Sequence, residues 1–67
     1  MHIGSKVQVH KRYILKIAEK DLDTAKFLVN KTGVIVGFDE ITWYFNVKFE
    51  DREYSFRRFQ LVEISEE

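Results

Sequence analysis

The sequence predicts a mainly β chain, a single small barrel of five short strands with a long connection after the first. Three observations carry this reading. Short runs alternate between apolar and polar residues, as half-buried strands do. Gly, Asp and Asn turn signals separate those runs. One tryptophan, three tyrosines and six phenylalanines fall within 67 residues. A chain this short buries only about 60% of its unfolded surface. Large rings, each removing roughly 150–250 Å² from water, can supply most of such a core.

Gly4-Ser5 reads as a turn, and Lys6–His10 as the first strand, with Val7 and Val9 on one face and Lys6, Gln8 and His10 on the other. The stretch 11–31 is the long first loop. Ile14, Ala18, Leu22, Ala25 and Val29 recur at helical spacing, yet Arg12–Ile17 reads equally well as an extension of the first strand. The sequence favours an irregular first part and a short helix over 21–30. Asp21 or Asp23 would cap that helix, Gly33 lies just past its end, and its apolar face would cover the open end of the barrel.

Val34–Phe38 is a β-branched strand with Gly37 as a bulge. Asp39-Glu40 suits a turn. The next strand alternates, with Trp43, Phe45, Val47 and Phe49 on one face and Tyr44, Asn46, Lys48 and Glu50 on the other. Asp51–Glu53 reads as a hairpin turn, Tyr54–Phe56 as a short strand, Arg57–Gln60 as one tight helical turn and Leu61–Ile64 as the closing strand. Residues 65–67 read as a frayed acidic tail. Closing the barrel would remove exposed sheet edges. The chain has no repeats, low-complexity stretches or linkers, so 1–67 is one domain.

Composition narrows the function. Without cysteine there is no disulfide framework and no thiolate metal site. His2 and His10 are too few for zinc, and no cofactor, metal or small-molecule substrate is expected. No apolar run approaches the ~20 residues that span a bilayer, so the expectation is a cytoplasmic protein without membrane contact. Formal net charge is zero, but it is unevenly spread. Residues 1–20 carry Lys6, Lys11, Arg12, Lys16 and Lys20 against Glu19. Residues 33–55 carry Asp39, Glu40, Glu50, Asp51 and Glu53 against Lys48 and Arg52. Such a pattern is either an ordinary solvated surface or a polarised one that orients a charged partner.

The segments "IGSKVQV", "TGVIVGF", "NVKFE" and "FRRFQLVEI" together resemble the SH3-like small barrels, a group that includes KOW and Tudor-type domains and the small barrel protein of photosystem I. The variable chain of ferredoxin–thioredoxin reductase is similar in more detail: Gly-x-x-Val-x-Val at the start, a long charged loop, then Val-Lys-Phe-Glu. The His-Pro signature of that family's loop is absent here, and "KIAEKDLDTAK" stands in its place. The resemblance implies a module that binds a partner and performs no chemistry.

Packing is the ordinary role for Trp43, Phe45 and Phe49, with Phe38, Phe56 and Phe59 joining them. Tyr13, Tyr44 and Tyr54 are then the aromatics left for a partner. Lys6, His10, Lys11, Arg12 and Lys16 would meet Arg57 and Arg58 if the first loop approaches the final turn. The expected function is noncatalytic protein–protein binding by a small accessory or regulatory subunit, through Lys11, Arg12, Tyr13, Lys16, Tyr44, Tyr54, Arg57 and Arg58. The alternative is a nucleic-acid-binding module, with the basic side chains on phosphates and the tyrosines stacked on bases. A neutral total charge argues against strong nonspecific binding of that kind. A cage for methylated lysine would need converging rings, which spacing does not show. The acidic residues fall at turns, where carboxylates are expected to be exposed and unperturbed, so the chain is not expected to be an enzyme.

Overall fold

The computed structural model describes residues 1–64, and the expected acidic tail lies outside them. Five strands, β1 (Lys6–Val9), β2 (Gly33–Phe38), β3 (Tyr44–Phe49), β4 (Arg52–Arg57) and β5 (Leu61–Glu63), form one sheet. Their order is β4-β3-β2-β1-β5, and every pairing is antiparallel. Two helices, α1 (Lys11–Lys20) and α2 (Leu22–Leu28), link β1 to β2, and a 3₁₀ turn (Arg58–Gln60) links β4 to β5.

The first half of the long connection corrects the sequence reading. Residues 11–20 are helical, not irregular, and they do not extend β1. Tyr13, Ile14 and Ile17 recur at three- and four-residue spacing and pack against the core. The Nδ1 of His10 accepts the backbone N–H of Arg12 (3.2 Å) and starts the helix. The stripe from Ile14 to Val29 does not continue along one helix, because Asp21 breaks it with φ −150° and ψ 89°. Asp21 then caps α2 by accepting the backbone N–H of Thr24 (3.2 Å) and its hydroxyl (2.6 Å). Ala25 and Leu28 become the buried face, while Leu22 and Val29 stay exposed.

The sheet faces hold most of the core: Val7, Val9, Ile35, Phe45, Val47, Phe49, Phe56 and Leu61, with Leu28 from α2. Val7 and Val9 point inward as the alternation requires, as do Phe45, Val47 and Phe49. The register shifts between Ile35 and Gly37, which places the expected bulge. The β3–β4 turn is Glu50-Asp51, one residue earlier than the sequence reading, so β4 already begins at Arg52.

The barrel expected from the sequence is not closed. β4 and β5 are the two edges of the sheet and, among the described residues, form no ladder with each other. The helices contribute Leu28 to the core, and Tyr13, Ile14, Ile17 and Phe27 pack against it. No helix among the described residues is long and apolar enough to cross a membrane.

Candidate binding cleft

The turn between β4 and β5 and the start of α1 are tied together. The backbone N–H of His10 donates to the carbonyl of Gln60 (2.8 Å). The side-chain oxygen of Gln60 in turn accepts the backbone N–H of Arg57 (2.8 Å). This contact brings the basic part of the first connection beside the final turn. His10, Arg12, Tyr13 and Lys16 share one cleft of about 260 Å³ with Phe59 and Gln60.

Phe59 also forms a wall of a second cleft, of about 250 Å³, lined by Phe38, Trp43, Phe45, Arg57 and Arg58. The two clefts therefore adjoin across one phenylalanine. Trp43 meets Phe38 edge to face with centroids 5.9 Å apart, and Phe38 meets Phe45 at 4.8 Å. Among the described residues, no carboxylate lines either cleft.

Three of the aromatics expected in the core, Trp43 by alternation and Phe38 and Phe59 as its neighbours, are not in it. Trp43 is 69% exposed, Phe59 74% exposed, and Phe38 is also exposed. Trp43 precedes β3 and closes a turn. Its N–H donates to the carbonyl of Asp39 (2.8 Å), and its backbone is left-handed, with φ 65°. Alternation along a strand does not extend through such a residue. Phe59 sits in the 3₁₀ turn, where successive side chains rotate by a third of a turn instead of alternating. Phe56, still in β4, is buried.

Asp39 builds the turn that presents Trp43. Its carboxylate accepts the backbone N–H groups of Ile41 (2.8 Å) and Thr42 (3.3 Å). These bonds, the one from Ile41 foremost, hold its carboxyl below the usual aspartate range. That corrects the expectation of unperturbed turn carboxylates. An exposed carboxylate fixed in its ionised form is a structural acceptor, not a proton donor near neutrality.

The expected site residues divide. Arg12, Tyr13, Lys16, Arg57 and Arg58 line the paired clefts. Lys11 lies outside them, on a shallow groove with Gln8, Val9, His10 and Val62. Lys6 opens β1 and lines neither cleft. Tyr44 is half-buried with the guanidinium of Arg57 over its ring at 4.8 Å. Tyr13 and Tyr54 are not the free aromatics expected. Tyr13 is half-buried edge to face against Phe56 (5.9 Å), and Tyr54 packs on Phe27, Phe49 and Phe56 at 6.3–6.4 Å. The roles are exchanged: Tyr13 and Tyr54 complete the core, and Phe38, Trp43 and Phe59 face solvent.

Comparison with protein-family models, curated proteins and solved structures returns no match.

Proposed function

We propose that this chain is a noncatalytic protein-binding module, an SH3-like small β-domain that serves as an accessory or regulatory subunit in the cytoplasm. The sheet order and the 3₁₀ turn before the last strand support the SH3-like reading. One observation carries the binding function. The largest side chain of the protein, Trp43, is held exposed in a backbone conformation that disfavours bulky residues. Such a conformation costs roughly 1–2 kcal/mol outside glycine. Its contact with Phe38 leaves most of the ring in water, and strain of this kind concentrates at functional positions. Exposed aromatics beside arginines have the composition of binding hot spots.

A tagged pull-down of the chain from its source lysate, with nuclease and read by mass spectrometry, tests this reading. A protein partner retained after nuclease supports it, and reversal of Arg57 and Arg58 should release that partner. Failure to retain any protein removes the proposal.

Nucleic-acid binding is the second reading, favoured by the position of Arg12 and Lys16 on the same side as Phe59. It requires affinity that falls steeply with salt. A flat salt response excludes it.

A further inference from the structure

We infer that the occupant of the paired clefts is a peptide segment with a large apolar side chain flanked by carboxylates. This rests on the protein-binding reading and names the chemistry of its partner. The cleft between Trp43, Phe38 and Phe59 is walled by exposed rings and has the dimensions of a single large side chain. Arg57 and Arg58 stand at that cleft, and Arg12 and Lys16 stand across Phe59 in the other. Burying the rings would remove apolar area from water. The surrounding basic groups would then lie in a drier setting, where charge-assisted bonds to carboxylates strengthen.

Charge complementarity selects the partner. The chain as a whole is neutral, yet among the described residues the charged side chains at both clefts are all basic. Arg12, Lys16 and Arg58 make no ion pair among the described residues. Arg57 is steadied by its stacking on Tyr44, so its guanidinium is already placed. A basic or neutral segment would leave these cations facing nothing of opposite sign. Nucleic acid fits less well, since the chain has zero net charge, and nonspecific nucleic-acid binders carry a marked basic excess. A second copy is the competing occupant, since Ile41 is exposed beside Asp39 and Glu40, and sedimentation separates it from a peptide.

The test is selection of a random-peptide phage library on the full chain, followed by titration of the enriched peptides. Trp43 is the sole tryptophan, so its emission reports occupancy of this cleft directly. The expected result is enrichment of peptides with a large apolar residue between aspartates or glutamates, with a blue shift of Trp43 emission on binding. Replacing the peptide's acids by their amides should weaken binding at least about tenfold, as should Arg12→Glu with Arg58→Glu in the protein. Circular dichroism of that double variant confirms that it folds. Enriched peptides without acids, or peptides that leave Trp43 emission unchanged, would overturn the inference while keeping the protein-binding reading. No enrichment, with dimers seen in sedimentation, would assign the cleft to a second copy and overturn the inference. No enrichment, with salt-sensitive binding of single-stranded oligonucleotides, would overturn the inference and the protein-binding reading together.

Discussion

Phe38 and Trp43 meet edge to face, 5.9 Å between centroids and 83° between planes, at the two ends of the β2–β3 turn. Yet Trp43 keeps most of its surface in water. An aromatic pair of this geometry contributes about 0.5–1.5 kcal/mol beyond area burial. The left-handed backbone at Trp43 costs a similar amount, so the two effects nearly cancel. Trp43→Gly is therefore expected to leave stability within about 1 kcal/mol of the parent, while partner binding is lost. Trp43→Ala keeps the strain and loses the ring contact, so it should be less stable than Trp43→Gly by about 1 kcal/mol. Urea melts of both variants measure this difference.

Gly33 is required for another reason. A Cβ there would fall 2.7 Å from Cδ1 of Phe49 and 2.8 Å from Cγ1 of Val47. Both side chains belong to the buried core and have little room to move. Gly33→Ala should destabilise the fold by about 1–3 kcal/mol, as overpacking does. A fall in urea midpoint at unchanged slope would record it.

Which helix faces are buried can be tested by a pair of substitutions. Leu28 is 1% exposed in the core, and Leu15 on α1 is largely exposed. Leu28→Ala should cost about 2–5 kcal/mol. Leu15→Ala should change stability by no more than about 0.5 kcal/mol. Thermal melts of the two variants give the comparison.

Acid should loosen the start of α2. The hydroxyl of Thr24, and then its backbone N–H, hold the carboxyl of Asp21 below the usual aspartate range. A depressed folded-state value means that the stabilisation is complete above the unfolded-state value. It is lost as pH falls through the folded one. Helical circular dichroism should therefore decline below the ordinary carboxylate range. Asp21→Asn keeps a capping oxygen without the titration, so part of that decline should disappear in the variant.

Much of the sheet is legible in the sequence, and particular residues show why. Val7, Val9, Phe45, Val47 and Phe49 alternate within strands, where side-chain direction has a strict period of two. Gly37 announces its bulge. The α1 helix is hidden because Arg12–Ile17 mixes β-branched and aromatic residues with charges, and its packing against Phe56 comes from elsewhere in the chain. The basic half of the cleft is partly legible, since Arg12, Lys16, Arg57 and Arg58 stand out by charge. The bond from His10 to Gln60 that gathers them joins residues far apart in the chain. The aromatic half is hidden. Trp43 fits the strand alternation by position but not by backbone, because the Asp39 turn closes on it in the left-handed region. Phe59 is hidden because the 3₁₀ turn, itself legible, redirects a side chain that a strand would have carried inward.

The most direct test of the central claim is a ¹H–¹⁵N spectrum of the labelled chain, recorded with and without the partner captured by pull-down. If the partner seats in the paired clefts, the largest shifts fall on Phe38, Trp43 and residues 57–59, including the indole N–H of Trp43. Shifts confined to α2 or to the outer edge of β4, with the Trp43 indole unmoved, would contradict that claim.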